Sequence, residues 1–315
     1  SSDRGRLADF LQMLETHRLE VYELAQPFTH QGQDFDPGEA FLIPLRQQQY
    51  RLVRGLFETR VIEDKVEFYD VSGWTQPLAY DLDYAELRGG QYRSQIVGDR
   101  VTDYDLAEAA PDVSTIGYVM EWDSYYAPRA LYRLLDAGAF ARVIPDEISV
   151  RTTAGEVDID RGAIMIELSR QPVEAEQIHA LLGQAAEEDG VKVHAVTSAS
   201  TSRGSDLGGF NLSNVERPEV LLITGRGISM GDAGELWHLL DHDMRMPVSM
   251  IDQSELGGAD LSRYTHIILP HGRLNRMGDD MPQTLNAWVR DGGTLIATRG
   301  AARWVIDQEL TSATI

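Results

Sequence analysis

The chain has 315 residues, with 50 acidic against 28 basic side chains and a formal charge of −22. Its only lysines are Lys65 and Lys192, so the clustered positive charge by which nucleic acid and anionic lipid are recognised is missing, and no apolar run approaches the ~20 residues that span a bilayer. The absence of cysteine removes disulfides, thiolate nucleophiles and Cys-ligated metal centres, while a 43% apolar fraction supplies cores for two or three domains of a water-soluble, acidic α/β protein.

The opening segment, Ser1 to Arg6, is polar and leads into an amphipathic stretch, which does not read as a signal peptide. Leu7, Phe10, Leu11 and Leu14 recur at helical spacing, and Glu20 to Leu24 then reads as a short strand. A second apolar run spans Phe41 to Leu45, followed by a helix over Gln48 to Phe57 and a strand at Phe68 to Val71. From Tyr80 to Pro111 acids, Gly and Tyr mix without a period, which predicts a connector. The pattern then restarts, with a strand at Ile116 to Trp122 and a helix marked by Pro128, Leu131, Leu134 and Leu135. Strands at Ala141 to Ile144 and Ala163 to Leu168, a helix at Glu174 to Glu188 and a strand at Val191 to Val196 follow.

The two stretches read as copies. Asp36-Pro37-Gly38 and Asp160-Arg161-Gly162 each close a turn before an apolar strand. The second copy has an opening strand that the first lacks, which predicts a first unit truncated at its N-terminus. Ser198 to Asn214, rich in Ser, Gly and Asn, predicts a linker. A third unit has strands at Val220 to Thr224, Val248 to Ile251, His266 to Leu269 and Thr294 to Thr298, with helices at Asp232 to Leu240 and Pro282 to Arg290. Alternating strands and helices predict mostly parallel sheets flanked by helices. The expected units are 1–110, 111–210 and 216–310.

Five patterns in the sequence bear on chemistry. Gly227-Ile228-Ser229-Met230-Gly231 matches G-x-S-x-G between a strand and a helix, the turn that exposes a serine nucleophile in α/β-hydrolases. His266 or His271 would be the base and Asp243, Asp252 or Asp260 the orienter. The competing reading is a glycine-rich turn with Ser229 near a helix cap. The same stretch comes within one residue of a dinucleotide-binding turn, with Asp252 where a ribose-binding acid would sit. His238 and His242 stand at i and i+4, the spacing of two metal ligands on one helix face, but no third ligand is evident and the Glu of H-E-x-x-H is missing. His17 and Glu20 match a His-x-x-Glu pair at a helix end, and Trp74 and Tyr80 are aromatics that line either a pocket or a core.

The segments FDPGEAFLIPLRQQQYRLVRGLFE and FYDVSGWTQPLAYDLDYAEL, with the helix LADFLQMLETHRLEVYEL, resemble the region that follows the catalytic domain in large bacterial zinc carboxypeptidase-like proteins. From Glu219 to Val305, VLLITGRGISMGDAGELWHLL, IILPHGRL and LNAWVRDGGTLIATRGAARWV resemble the class I glutamine amidotransferase-like domain that closes such proteins. The resemblance implies tandem flavodoxin-like or amidotransferase-like units. It implies zinc ligands and a catalytic Glu in a peptidase domain preceding Ser1, hence no metal and no catalytic residue in this segment. It also implies a periplasmic or secreted bacterial setting. The amidotransferase Cys falls where this chain reads Thr298-Arg299-Gly300-Ala301, so thiol-based glutamine hydrolysis has no nucleophile here. The expected role is accessory: support of the absent peptidase domain, homo-oligomeric pairing, or binding of a peptide or small ligand. A pocket is expected at the strand ends of the third sheet, where Gly225, Arg226, His271 and Arg299 would offer donors to a carboxylate. The rival is a serine hydrolase using Ser229.

Overall fold

Asp3 caps the first helix, α1 (Arg4–Thr16), by accepting from the Arg6 N–H at 3.0 Å. The computed structural model describes residues 3–59, 75–88, 94–102, 104 and 107–314; the strand expected at Phe68 to Val71, and Trp74, lie outside them. Phe10, Leu11 and Leu14 of α1 are buried with Leu19, Val21 and Val53. The chain continues through β1 (Tyr22–Leu24), the hairpin β2 (Phe28–His30) and β3 (Gln33–Phe35), β4 (Phe41–Leu42), α2 (Tyr50–Phe57), the short α3 (Gln76–Ala79) and β5 (Val97–Arg100). The order β4-β1-β5 forms a small sheet with both pairings antiparallel. The expected connector from Tyr80 to Pro111 therefore supplies a strand. Val-Gly-Asp-Arg carries no apolar alternation, and backbone bonds such as Val101 N–H to the Val21 carbonyl, at 2.9 Å, hold it in place.

The second unit comprises β6 (Gly117–Met120), α4 (Ala127–Asp136), β7 (Ala141–Val143), β8 (Ile148–Thr152), β9 (Gly155–Ile159), β10 (Ile164–Glu167), α5 (Ala175–Asp189), β11 (Val193–Val196) and β12 (Ser213–Val215). Its seven strands lie in the order β12-β7-β10-β6-β11-β8-β9, and every pairing is antiparallel. The run β6-α4-β7…β10-α5-β11, with β10 and β6 adjacent at the centre, is the split βαβ arrangement of ferredoxin-like folds. The α/β class holds, but the parallel, flavodoxin-like expectation fails for this sheet. The strands at Ala141 and Ala163 have no helix between them, and parallel neighbours need a long crossover. Tyr118, Met120, Ile164 and Ile166 pack under α4 and α5, while Val119, Ile148, Val150 and Met165 face Leu207 and Leu212. The expected linker at Ser198 to Asn214 is thus the cover of the sheet's second face, and it leads into β12.

The first unit resembles the second in element order, but its hairpin β2-β3 forms a sheet of its own, whereas β8 and β9 join the seven-stranded sheet. In each, a helix, a strand, a hairpin, a strand and a helix follow in turn, and the order β5-β1-β4 parallels β12-β7-β10. Gly38 and Gly162 occupy matching turns at φ +84° and +93°, conformations that favour glycine.

The third unit is the parallel sheet that the sequence predicts. It contains β13 (Val220–Thr224), α6 (Met230–Trp237), a π-helical turn (His238–Asp243), β14 (Val248–Asp252), β15 (His266–Leu269), α7 (Met281–Arg290), β16 (Thr294–Ala297) and α8 (Gly300–Asp307). The order is β14-β13-β15-β16, all parallel. Leu221, Ile223, Ile267 and Leu269 share a core with Leu285, Trp288, Ala301 and Trp304, and Leu222 and Ile268 pack with Leu236 and Leu240. Arg129 of α4 ties the units together: its Nε lies 2.7 Å from buried Asp189 of α5, and its Nη1 donates to the Asp243 carbonyl at 3.3 Å. No helix among the described residues is long and apolar enough to cross a membrane.

Candidate functional site

In an open parallel sheet, connections leave neighbouring strands on opposite faces at one point, and ligands bind in the crevice outside that point. Here it lies between β13 and β15, so the loops after Thr224 and Leu269 flank it. Main-chain contacts join these loops. The Ser229 N–H donates to the His271 carbonyl at 2.8 Å, the Arg273 N–H donates to the Gly227 carbonyl at 2.9 Å, and Ile228 bridges Gly272. Gln253, fully buried after β14, fastens both loops from below. Its Nε2 donates to the carbonyls of Arg226 (2.7 Å) and Arg273 (3.2 Å), and its Oε1 accepts from the Arg276 N–H (3.2 Å).

The four residues expected to form a pocket fall into two groups. Gly225, at φ +99°, packs so closely on Asp252 that a Cβ there would lie 2.0 Å from the Asp252 carboxylate, which only glycine allows. Asp252 accepts from the Ser254 hydroxyl (2.6 Å) and N–H (2.8 Å). These bonds, helped by the Arg226 N–H, outweigh desolvation and hold the carboxyl below its ordinary range. His271 and Arg299 belong to the second group. His271 Nδ1 accepts from the Gly300 N–H at 3.1 Å, which leaves the ring proton on Nε2. Arg299 Nη1 donates to Asp232 Oδ1 at 3.0 Å.

Ser229 is the N-cap of α6, accepting from the Asp232 N–H at 3.3 Å, and its hydroxyl donates to the Asp232 carboxylate. The Ser229 hydroxyl first, and the Arg299 guanidinium second, hold the Asp232 carboxyl below its usual range. The Ser229 hydroxyl meets Asp232 and not a histidine ring. His266 meets the Thr265 hydroxyl at 2.7 Å, and burial pushes its imidazole pKa down. Asp260 caps the turn at Ser262. The nucleophile, base and orienter that the motif requires are therefore occupied separately. Asp232 and Gln253 were missed from sequence because neither belongs to a motif; their roles come from loops that meet only in the fold.

Elsewhere, Tyr80 packs edge-on against Phe10, with centroids 5.3 Å apart, as a core aromatic. His17 ends α1, and Glu20 accepts from the Tyr22 hydroxyl at 3.2 Å. An open groove of about 770 Å³ is lined by Glu20, Arg46, Gln48 and Tyr50 among others, and by none of the four expected pocket residues. His238, His242 and Asp243 bring one ligand atom each within 4.8 Å of one another. No family model, curated protein or solved structure matches the chain.

Proposed function

We propose that this chain is a non-catalytic accessory region, organised as units 1–110, 111–210 and 216–310, of a zinc carboxypeptidase-like protein. The carrying observation is the closed switch point. The crevice where a doubly wound sheet would receive a ligand is bridged by backbone hydrogen bonds and held by Gln253. Two of the groups expected to meet a carboxylate are occupied too, Arg299 by Asp232 and His271 Nδ1 by the Gly300 N–H. Ser229 serves as a helix cap, so the serine-hydrolase reading gains no support from its geometry.

An assembly role is supported by one face of the third sheet. Met250, Leu222, Ile268 and Ile296 lie in one cross-strand row, and the two edge members, Met250 and Ile296, are exposed. Exposed apolar side chains continuous with a core favour contact with protein. The proposal takes as partner the peptidase domain that the resemblance places before Ser1.

The test assays this chain alone and fused to that domain with C-terminal peptide and ester substrates. The expected result is no turnover by the chain alone and a peptidase whose Tm rises when the chain is attached. Turnover by the chain alone that disappears in a folded Ser229→Ala variant overturns the reading.

A further inference from the structure

We propose that His238, His242 and Asp243 form a binding site for a first-row divalent cation, with zinc the best match. In a regular α-helix the two histidines share a face, but Asp243, five residues after His238, points about 140° away. The helix does not stay regular. It widens into a π turn over His238–Asp243, and the Met244 N–H donates to the Leu239 carbonyl five residues back at 2.9 Å. This widening brings Asp243 beside His238 and creates the third ligand that the i, i+4 spacing lacks. Such single-turn π bulges recur at functional sites.

The geometry fits a small cation. Asp243 Oδ1 lies 2.9 Å from His242 Nδ1 and 3.5 Å from His238 Nδ1. Tetrahedral zinc with N and O bonds near 2.0–2.1 Å has ligand-to-ligand edges of about 3.3 Å, between those two values. The imidazole rings stack with centroids 4.5 Å apart, so both nitrogens face the same carboxylate. The turn is anchored from behind: Arg129 holds the Asp243 carbonyl, and Met244 is buried. Both imidazoles are exposed, leaving room for water to complete the coordination shell. A metal here would take Nδ1 of each ring, with the ring proton on Nε2. Two imidazoles and one carboxylate favour Zn²⁺, Co²⁺, Ni²⁺ or Cu²⁺ over the oxygen-preferring Mg²⁺ and Ca²⁺. The site is independent of the accessory role proposed above.

The test uses this chain alone, stripped with EDTA and dialysed, titrated with ZnCl₂ at pH 7.5 by calorimetry. A parallel titration with Co²⁺ is read by visible absorption. The expected result is one equivalent of Zn²⁺, a tetrahedral Co²⁺ band, and no heat with Mg²⁺ or Ca²⁺. His242→Ala and Asp243→Asn should each weaken binding by at least about tenfold, a loss that even outer-shell partners of metal ligands cause, while His17→Ala leaves it unchanged. His238→Gln, an exposed-site change whose fold is checked by circular dichroism, should behave like His242→Ala. Absence of a zinc equivalent, or equal affinity in the wild type and the folded His242→Ala and Asp243→Asn chains, overturns the proposal.

Discussion

Asp232 fastens the start of α6 to the turn after β16. Its carboxylate receives the Ser229 hydroxyl and the Arg299 guanidinium, while its N–H meets the Ser229 oxygen. These partners favour the ionised form, so the interaction stabilises the fold at pH values above the ordinary aspartate pKa of about 4 and is lost as pH falls through the lower folded value. Asp232→Asn keeps a capping side chain but loses the charge. The expected outcome is a small Tm deficit, constant from pH 5 to 8, that closes in acid; a deficit that widens below pH 4 contradicts this assignment. Ser229 shows how far a motif reads. G-x-S-x-G was visible in the sequence, but its chemistry depends on which side chain the hydroxyl meets.

Elements were more legible than sites. The helices at Leu7 and Glu174 and all four strands of the third unit lie where periodicity predicts them. The hairpin of β8 and β9 went unrecognised because Thr153-Ala154 offers no Asn-Gly or Asp-Gly turn signal. The helix α8 (Gly300–Asp307) was not predicted, its first residues being read as the turn Thr298-Arg299-Gly300-Ala301. Within β6, Gly117 marks a close approach that no alternation reveals: a Cβ would sit 2.6 Å from the Ile166 carbonyl oxygen and 2.7 Å from Met165 Cε. Because β6 lies between β10 and β11, its backbone has no room to withdraw. Gly117→Ala should destabilise the chain by about 1–3 kcal/mol, the usual cost of overpacking, measured as the shift in urea midpoint. An unchanged midpoint shows that the sheet can open at this position.

At the scale of the molecule, Arg129 and Asp189 organise the seam. Arg129 stacks on Tyr126 at 3.8 Å, and Tyr126 in turn donates to Asp9 of α1. Arg133 adds a charge contact to Asp189 at 3.0 Å and a long hydrogen bond from its Nη2 at 3.5 Å. Burial, opposed by Arg129 and then Arg133, leaves the Asp189 carboxyl above its ordinary range. A raised carboxyl makes the fold lose stability as pH rises through the folded value. Arg129→Met removes one counter-charge and should push that loss to higher pH. At neutral pH it should cost toward the lower end of the about 3–5 kcal/mol of a broken buried pair, because Arg133 remains. Urea unfolding between pH 4 and 8 checks both; a pH profile parallel to that of the wild type would remove Asp189 from the seam's electrostatics.

The sequence by itself marked the helices at Leu7 and Glu174 and the strands of the third unit, because periodicity records the sidedness of an element. It also contained the parallel third sheet. Only tertiary structure decided that the second sheet is antiparallel, that Ser198 to Asn214 covers it, and that the loops after β13 and β15 join. The same holds for Asp243, which turns toward two histidines only because the helix widens. Each of these depends on a partner remote in sequence or on a local change of helical pitch, and a one-dimensional pattern of apolar and polar residues carries no term for either.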